Sequence, residues 1–580
     1  MNDEEIIAAA RRWRDEDPDP ETRAEATTLL DRRDLAGLRD RFGARLEFGT
    51  AGLRGELGAG PNRMNRALVM RATAGLAAHL LATVPDAARR GVVVGWDGRR
   101  NSDVFARDVA AVLAGAGVVA RVLPTLAPTP LVAFAVRRAA AAAGVVVTAS
   151  HNPPEYNGYK VYWGDGAQIT PPVDAGIAAA IDAVGALAEV PRLERREASA
   201  RGLHEVFGPE LEDDYAAAVH AAVPEVRRAR LTVAYTPLHG VGERMATRLL
   251  ARFGDVRTVP EQAKPDGAFP TVRFPNPEEP GAMDLVLALA GRCRADIAIA
   301  NDPDADRLCV AVPRSGAWVP LTGNALGALL GHHLLTAVQT RGARVVANTI
   351  VSSPLLGRIA ASLGVTHVET LTGFKWIARR AHEVARETGA RFVFGYEEAL
   401  GYCVGDIVRD KDGVSAACVV ADLASRLKAS GETLDDRLTA IYREHGLYVS
   451  GQRSVTAKGA DGQRAIAATT TSFRGEPPTE IGGRRVESWV DYLTGERHGA
   501  GGGATGLPPS DVLRFDLEGG SRVMLRPSGT EPKIKFYFDL REGMGPDEPL
   551  DVAEPRARAA LDDLADAFTA LVESRGTLPR

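Results

Sequence analysis

The sequence has few cysteines, and they do not form the pairs that common cysteine-based sites use. Its 580 residues include four cysteines, which lie far apart at Cys293, Cys309, Cys403 and Cys418. No Cys-x-x-Cys pair occurs, so the spacing predicts neither a zinc site nor a disulfide framework. Few, widely spaced cysteines that form neither disulfides nor zinc sites are typical of proteins in a reducing compartment, and we therefore expect a cytoplasmic protein.

Long apolar runs are missing as well. No run approaches the ~18 residues that a membrane-spanning helix needs. The first five residues, Met-Asn-Asp-Glu-Glu, are acidic, whereas a secretory signal peptide begins with positive charge. We therefore expect neither secretion nor a membrane partner.

The sequence also lacks a large excess of charge of either sign. Its 70 Lys and Arg residues nearly balance 75 Asp and Glu residues, which leaves a net charge of -5. Such a balance provides no long-range attraction for a nucleic acid, and no long Lys/Arg run is present. With 45% hydrophobic and 25% charged residues, the composition is typical of a soluble globular enzyme that acts on a small molecule.

Two common nucleotide-binding fingerprints are incomplete or absent. Gly240-Val241-Gly242 follows a predicted strand, but the third glycine of a dinucleotide fingerprint is replaced by Met245. No Walker A sequence occurs. Neither fingerprint therefore supports a nucleotide-binding function.

Hydrophobic patterning predicts three similar α/β units. Each begins with a buried β-branched strand, continues through a helix and a second strand, and ends on a strand whose following loop is polar. Strands that alternate with helices imply mixed, largely parallel sheets. The predicted first and last strands of the three units are 91–95 and 144–148, 231–235 and 296–300, and 345–349 and 391–394.

The last part of the sequence has a different character. Segments 521–525 and 533–540 alternate apolar and polar residues with period two, which predicts a smaller C-terminal α+β domain with an antiparallel sheet. The length alone suggests roughly four domains. We predict a helical N-terminal extension at 1–40 and domains at 41–205, 206–320, 321–446 and 447–580.

Ser150 is the first candidate for chemistry. It follows the strand Val145-Val146-Val147 and precedes His151, Asn152 and Pro153. Loops after buried strands are where ligands bind in α/β sheets, so the position suits a nucleophile or a phosphate carrier. An ordinary Ser-Asn-Pro turn is the alternative interpretation.

A second candidate is the acidic loop Asp302-Pro303-Asp304-Ala305-Asp306-Arg307. Three alternating carboxylates repel one another unless a cation lies between them. An EF-hand is excluded, because its Gly and Glu positions hold Arg307 and Pro313. The loop predicts a Mg²⁺ site that shares its ligands with a phosphate oxygen; a solvated acidic turn is the alternative.

Three further segments carry polar groups suited to a sugar phosphate. Glu397 and Glu398 offer paired carboxylates, and Lys375 places a cation at a predicted helix start, where it would need a ligand or a carboxylate. Arg54 lies among glycines in Phe48 to Gly55. The loop that begins at Arg526 combines a guanidinium, two hydroxyls and a glycine, which together would cradle a phosphate through Arg526, Ser528, Gly529 and Thr530.

These motifs together resemble the α-D-phosphohexomutase superfamily. The resemblance rests on Thr148-Ala149-Ser150-His151-Asn152-Pro153, on residues 302–307, on Glu397-Glu398-Ala399-Leu400-Gly401 and on Arg526-Pro527-Ser528-Gly529-Thr530, which occur in the family's order. It implies a four-domain, heart-shaped enzyme. It also implies a reversible transfer of phosphate on sugar phosphates, such as glucose 1-phosphate to glucose 6-phosphate, through a phosphoserine and a sugar bisphosphate.

The resemblance also implies roles for single residues. Ser150 matches the phosphoserine and, with Asp302, Asp304 and Asp306, the Mg²⁺ ligands. Four more residues match family residues that contact phosphate, transfer protons or stabilise charge, or lie next to such residues in the sequence: Arg54, His151, Lys160 and Arg307. Glu397 matches a sugar contact, with Glu398 and Lys375 beside that site, and the Arg526 loop matches the clamp for the non-reacting phosphate. A sugar 1,6-bisphosphate is implied as activator, and the protein would be a monomer or a dimer.

The preferred sugar stays open at this point. Ala399 stands where family members commonly have Ser, and Phe374 stands where phosphomannomutase-type members have His. Segments 48–55 and 157–163 are similar to the phosphoglucomutase-2 and phosphopentomutase-like group, so ribose or deoxyribose phosphate is an alternative to glucose phosphate. Mannose phosphate is a further alternative. A sugar-phosphate phosphatase and a non-catalytic sugar-phosphate-binding protein are the alternatives from other functional classes.

Overall fold

The structure is a computed structural model that describes residues 1–223, 228–337, 342–457, 459–499, 502–527 and 533–575. It divides into two compact units. The first comprises Met1–Val312 and Ala399–Ala429, and the second comprises Pro313–Glu398 and Ser430–Arg580. No helix in the described ranges has both the length and the apolar content that crossing a bilayer requires.

The first unit begins with three helices, followed by the first α/β segment. Asn2 and Glu5 form a capping box at the first helix, and Asp19 caps the second, which starts with Pro20; both features favour helix initiation. In chain order the elements are α1 (Asp3–Glu16), α2 (Pro20–Asp31), α3 (Leu35–Phe42), β1 (Leu53–Glu56), α4 (Arg66–Thr83), α5 (Ala87–Arg90), β2 (Val92–Trp96), α6 (Ser102–Gly115), β3 (Ala120–Val122), α7 (Thr129–Arg138), β4 (Ala143–Val147), β5 (Tyr156–Trp163), α8 (Val173–Asp182), a 3₁₀ turn (Leu187–Glu189), α9 (Arg195–Ala200) and β6 (His204–Val206).

The first sheet is mixed, in the order β1-β5-β4-β2-β3-β6. Its β4-β2-β3-β6 part is parallel, whereas β5 and β1 add antiparallel strands. Every residue of β4 is buried, as in a parallel strand covered on both faces. The core lies between this sheet and the helices α4, α6 and α8, and it includes Val94, Val109, Leu113 and Ile177.

A second α/β segment completes most of the first unit. Its strands follow the order β10-β9-β7-β8, in which β7 pairs in parallel with β8 and β9 and β10 is antiparallel to β9. The elements are α10 (Glu210–Ala221), β7 (Leu231–Thr236), α11 (Glu243–Leu250), β8 (Gly254–Thr258), α12 (Asp284–Cys293), β9 (Ile297–Ala300) and β10 (Cys309–Arg314).

The third α/β segment belongs largely to the second unit. β12 lies between β13 and β14 and pairs with both in parallel. The chain then returns to the first unit for one strand and most of a long helix. The elements are β11 (Ala317–Pro320), α13 (Gly323–Ala337), β12 (Arg344–Thr349), α14 (Leu355–Ser362), β13 (Thr366–Thr370), α15 (Phe374–Thr388), β14 (Arg391–Glu397), β15 (Gly401–Val404), α16 (Gly413–Ser430) and α17 (Leu434–His445).

The C-terminal segment is an antiparallel sheet with two helices. Its strand order is β16-β23-β22-β21-β18-β19-β20, and β17 pairs with β18. The elements are β16 (Leu447–Thr456), α18 (Gly459–Gly475), β17 (Glu480–Ile481), β18 (Arg484–Asp491), β19 (Glu496–Gly499), β20 (Gly503–Ala504), β21 (Leu513–Leu517), a 3₁₀ turn (Glu518–Gly520), β22 (Arg522–Pro527), β23 (Lys533–Glu542) and α19 (Leu550–Ser574). The fold class predicted from sequence, three α/β domains and a smaller α+β domain, is confirmed.

Candidate active site

Ser150 lies in a tightly held turn after β4. Its backbone has a φ of 53°, a left-handed conformation that costs a non-glycine residue about 1–3 kcal/mol and persists only where neighbours enforce it. The backbone N–H of Ser150 donates to Thr148 Oγ1 at 2.8 Å. The residue is only 3% exposed, so the turn holds the hydroxyl in one place.

The Ser150 hydroxyl contacts a carboxylate and an imidazole. Its Oγ donates to Asp302 Oδ2 at 2.8 Å and lies 3.1 Å from His151 Nδ1. Burial, with the positive charges of Arg307 and Arg54, lowers the pKa of His151 to about 2. The imidazole beside Ser150 is therefore neutral at physiological pH.

The three aspartates of the acidic loop are fully buried and face one another. One oxygen of each of Asp302, Asp304 and Asp306 lies within 4.8 Å of the others, and Ala305 adopts a left-handed φ of 58° between them. Burial and the charges of Asp304 and Asp306 raise the pKa of Asp302 well above its ordinary value. Asp304 Oδ1 and Asp306 Oδ1 are buried without a hydrogen-bond partner.

These carboxylates fit a divalent cation. Buried oxygens without partners are costly, and an all-oxygen donor set is the one that Mg²⁺ prefers. A bound cation would also offset the mutual repulsion among the three carboxylates, because a nearby positive charge favours their charged forms. The loop can therefore hold a metal ion through Asp302, Asp304 and Asp306.

Lys160 supplies a buried positive charge beside the acidic loop. It lies in β5 opposite Val146 of β4, so its strand neighbours the strand that leads to Ser150. Its Nζ donates to Asp304 Oδ2 at 2.7 Å and to Asp306 Oδ2 at 3.1 Å. Burial alone would lower the pKa of Lys160, but the two carboxylates outweigh it and raise the pKa, so the ammonium stays protonated.

Two arginines predicted from sequence lie around the same groups. Arg54 is exposed on β1, and its Nη1 donates to Asn152 Oδ1 at 3.1 Å. Arg307 donates its backbone N–H to Asp302 Oδ1 at 2.9 Å and lies 3.3 Å from Glu278 Oε2 through Nη1. The structure thus brings together Arg54, Ser150, His151, Lys160, Asp302, Asp304, Asp306 and Arg307.

Sequence reasoning did not identify Lys411, which also belongs to this cluster. Its Nζ lies 3.3 Å from Asp306 Oδ2 and 3.5 Å from Asp410 Oδ1. Tyr162 and Gln168 donate to Asp410 Oδ2 at 2.6 Å and 2.7 Å. The alternating charges of Asp410-Lys411-Asp412 are the one local signal that marked this segment.

Other predicted site residues lie in the second unit. Glu398 Oε2 accepts hydrogen bonds from Thr349 Oγ1 at 3.1 Å and from Ser352 Oγ at 2.9 Å. Glu397 ends β14 and is half-buried, and half-buried Lys375 is the second residue of α15. The Glu398 carboxylate is thus already bonded within its own unit.

The predicted phosphate cradle is described only in part. Arg526 lies in β22 opposite Lys535 of β23 and is half-buried. Ser528, Gly529 and Thr530 lie outside the described residues. Their proposed contacts with phosphate therefore stay predictions.

Comparison with known proteins assigns the chain to a family. Models for the phosphoglucomutase/phosphomannomutase α/β/α domains I, II and III match residues 45–187, 213–316 and 322–445. The model for the C-terminal domain of that family matches residues 480–543. All four domains of the family are therefore present, in order, and together they cover more than half of the chain.

Individual relatives agree with this assignment over most of their length. A probable phosphomannomutase of Haemophilus influenzae is 44% identical over 82% of this chain and 93% of the relative. A probable phosphoribomutase of Schizosaccharomyces pombe is 39% identical over 91% of this chain and 92% of the relative. The crystal structure of a putative phosphomannomutase from Thermus thermophilus shares the fold, with a TM-score of 0.65 at 24% identity, over 91% of this chain and 99% of that one. The chain therefore belongs to the phosphoglucomutase/phosphomannomutase family, and it is a phosphosugar mutase.

Proposed function

We propose that this phosphosugar mutase interconverts glucose 1-phosphate and glucose 6-phosphate, with Ser150 as the phosphate carrier. The observation that carries the proposal is the Ser150 hydroxyl, which lies 2.8 Å from Asp302 Oδ2 in a turn held at a left-handed φ. A carrier must present one oxygen to the sugar in a fixed position, because catalysis of phosphoryl transfer depends mainly on position and charge.

In the first step the sugar phosphate's free hydroxyl attacks the phosphorus of phospho-Ser150. The bond between phosphorus and Ser150 Oγ breaks, the attacking oxygen loses its proton, and a sugar bisphosphate forms. After this intermediate turns over, Ser150 Oγ attacks its other phosphate, which restores phosphoserine and releases the product. A sugar 1,6-bisphosphate would prime an enzyme whose serine has lost its phosphate.

Asp302, Asp304 and Asp306, with Ser150 as a fourth ligand group, would hold Mg²⁺. When bound, the ion supplies positive charge to the phosphoryl oxygens and to the departing serine oxygen. The two buried oxygens without partners, Asp304 Oδ1 and Asp306 Oδ1, support this assignment.

The cations of the site would stabilise the transferring phosphate. Lys160 remains protonated beside Asp304 and Asp306. We therefore assign it the role of a fixed positive charge in preference to that of a proton carrier. Arg54 and Arg307 offer guanidinium groups, which match phosphate geometry. Neutral His151 lies at hydrogen-bond distance from Ser150 Oγ and can accept or pass on its proton.

The sugar and its non-reacting phosphate are assigned to residues of the second unit. Glu397, with Lys375 and Glu398 beside it, would contact sugar hydroxyls, and Arg526, Ser528, Gly529 and Thr530 would bind the far phosphate. The Glu398 carboxylate accepts two hydroxyl hydrogen bonds, and Glu397, which matches the family's sugar contact, is our candidate for direct contact. We also propose that the protein is cytoplasmic and is a monomer or a dimer.

A pentose phosphate is the second candidate substrate. Ala399, next to the paired glutamates, has no hydroxyl to offer to a hexose, and one relative carries the name phosphoribomutase. A pocket with fewer polar contacts discriminates less against a smaller sugar. The same carrier and cation site would serve either substrate.

Substrate preference and product identity test this proposal together. We would compare kcat/KM for the 1-phosphates of glucose, mannose, ribose and glucosamine, each with a sugar bisphosphate present. Glucose as the best substrate supports the main proposal, and ribose supports the second candidate. Net release of inorganic phosphate in place of isomerisation would identify a phosphatase, and the absence of any turnover would favour a binding protein.

A further inference from the structure

The Arg99 side chain is buried and bonded to four carbonyl oxygens of the Ser150 loop. Nη2 donates to the carbonyl of Ser150 at 2.7 Å and to that of Asn152. Nη1 donates to the carbonyls of Pro153 at 2.8 Å and of Tyr156 at 3.0 Å. A single guanidinium, only 1% exposed, thus spans the whole turn between β4 and β5.

The loop satisfies only part of its carbonyls itself: the Tyr156 backbone N–H donates to the Pro153 carbonyl at 3.1 Å, and the Asn152 backbone N–H donates to the Ala149 carbonyl at 3.1 Å. Its residues lie between two strands, and Ser150 has the left-handed φ that interrupts regular pairing. Buried carbonyls need donors, and a guanidinium offers several in a rigid planar fork. A lysine offers its protons from one point and cannot replace a fork that reaches four acceptors.

Neighbouring groups hold the guanidinium itself. Asp97 Oδ2 lies 3.4 Å from Arg99 Nε, and Asp97 Oδ1 accepts from the Arg99 backbone N–H at 3.0 Å. The Phe269 ring covers the guanidinium, with its centroid 4.9 Å from Cζ. A Cβ on Gly267 would come within 2.7 Å of Arg99 Cα, so a second loop packs closely over this residue and excludes water.

We propose that Arg99 is a positioning residue for phosphoryl transfer. Its guanidinium holds the Ser150–Tyr156 backbone, and this decides whether the phosphate on Ser150 is passed to a sugar hydroxyl or to water. Transfer to water breaks the bond between phosphorus and Ser150 Oγ, releases inorganic phosphate and returns a proton to the serine oxygen. The inference rests on Ser150 being the carrier, as proposed above.

The test compares Arg99→Lys with Arg100→Lys. Arg100 is the neighbouring residue, its side chain is 60% exposed, and it pairs with Glu21, so its substitution controls for loss of a guanidinium. The measured quantity is inorganic phosphate released per glucose 1-phosphate isomerised. This ratio does not depend on the folded fraction, because the same active molecules make both products.

We expect Arg99→Lys to raise this ratio about tenfold or more and to lower kcat ~10²-fold, the cost of a displacement of about 1 Å at a reacting group. Arg100→Lys should match the wild type in both. A soluble Arg99→Lys enzyme with a wild-type ratio would overturn the inference, even if its kcat fell, because a purely structural role reduces the number of active molecules alone.

Two further measurements keep the outcome unambiguous. If Arg99→Lys is insoluble, Phe269→Leu removes the ring that covers the guanidinium and lets water compete for the four carbonyl hydrogen bonds; it should raise the ratio, and an unchanged ratio would count against the inference. Mass spectrometry of the wild-type enzyme during turnover tests the carrier separately. Phosphate absent from Ser150 would refute the proposed function itself, whereas phosphate on Ser150 with unchanged ratios would refute only the role of Arg99.

Discussion

Thr129 donates two hydrogen bonds to Asp304, a residue 175 positions later in the chain. Its backbone N–H bonds to the Asp304 carbonyl at 2.9 Å, and its Oγ1 bonds to Asp304 Oδ2 at 2.8 Å. Thr129 begins α7 in the first α/β segment, whereas Asp304 follows β9 in the second. One residue therefore fixes both the backbone and the carboxylate of the central aspartate in the acidic loop.

Substitution of Thr129 by Val should weaken Mg²⁺ binding. The isosteric change keeps the backbone hydrogen bond but removes one of the two donors that the described residues offer to Asp304 Oδ2, and it leaves Lys160 as the other; loss of such a supporting partner typically lowers metal affinity ~10–100-fold. The measurement is the Mg²⁺ concentration for half-maximal activity after removal of metal with EDTA. Thr170→Val is the control, since Thr170 Oγ1 is buried without a hydrogen-bond partner. Wild-type activity that persists in EDTA would refute the metal site.

Replacement of Ser150 by Ala should abolish mutase activity. Loss of a nucleophile that works with its neighbours as a unit lowers the rate by roughly 10⁴-fold or more. Conversion of glucose 1-phosphate to glucose 6-phosphate would be followed with bisphosphate present, and thermal unfolding would verify that the variant folds. Undiminished turnover by folded Ser150→Ala would remove Ser150 as the carrier.

Lys411, which the sequence did not point to, should matter for the rate. Replacement by Met removes a nearly buried positive charge 3.3 Å from Asp306 Oδ2, and loss of one charge-stabilising group typically lowers kcat ~10²-fold or more. Lys428→Met is the matched control, because Lys428 is 44% exposed and pairs with Asp296. Equal kcat values for the two variants would show that Lys411 has no catalytic effect.

The paired glutamates should respond differently to neutralisation. Glu398→Gln weakens acceptance of the hydroxyl hydrogen bonds from Thr349 and Ser352, so we expect it to reduce stability by about 1–3 kcal/mol. Glu397→Gln should change KM or kcat for the sugar, because Glu397 is the proposed sugar contact. Urea denaturation and steady-state kinetics on both variants make the comparison; the reverse pattern would exchange their roles.

Glu369 should make stability depend on pH in the acidic range. It lies 2.9 Å from Arg514 Nη1 and 3.0 Å from Arg522 Nη1. Burial alone would raise its pKa, but the two guanidinium groups outweigh it and lower the pKa to about 2. Because the folded-state pKa is below the ordinary value of 4.5, the stabilisation is complete above that value and is lost as the pH falls from about 4.5 towards about 2.

Glu369→Gln tests this pH dependence. The Glu369 side chain is 23% exposed, so at pH 7 the variant should be less stable by about 2–3 kcal/mol, somewhat below the cost of removing one partner of a fully buried ion pair. The difference in free energy of unfolding between wild type and variant should shrink between pH 4.5 and pH 3. Urea denaturation at several pH values measures it, and a difference that is constant with pH would contradict the assignment.

Most of the candidate site could be predicted from sequence because its motifs are local. Ser150 follows a run of β-branched residues, and Asp302, Asp304 and Asp306 alternate within five positions. Pattern and charge repulsion therefore mark both as candidates without knowledge of the fold, and the family resemblance implies their roles. The α/β units were likewise predictable, because helix and strand periodicities are properties of neighbouring residues.

Arg99, Thr129 and Lys411 escaped sequence reasoning for the opposite reason. Arg99 reaches carbonyls more than fifty positions away, and Thr129 reaches an aspartate 175 positions away. Nothing in the immediate sequence distinguishes Arg99 from an ordinary surface arginine or Thr129 from a turn threonine, and Lys411 is marked only by the alternating charges of Asp410-Lys411-Asp412. The antiparallel strand β5, which carries Lys160, was not predicted either, since its pairing with β4 is a tertiary contact.

The amino-acid sequence by itself determined the family motifs, the order of the α/β units and the residue types available for chemistry, because these depend on short-range pattern. Only the tertiary structure decided which side chains hold those motifs in place. Burial removes water from the acidic loop and from the Ser150 loop. A threonine and a lysine from distant segments bind the first loop and an arginine binds the second, and the strength of these interactions depends on distances that no local pattern encodes.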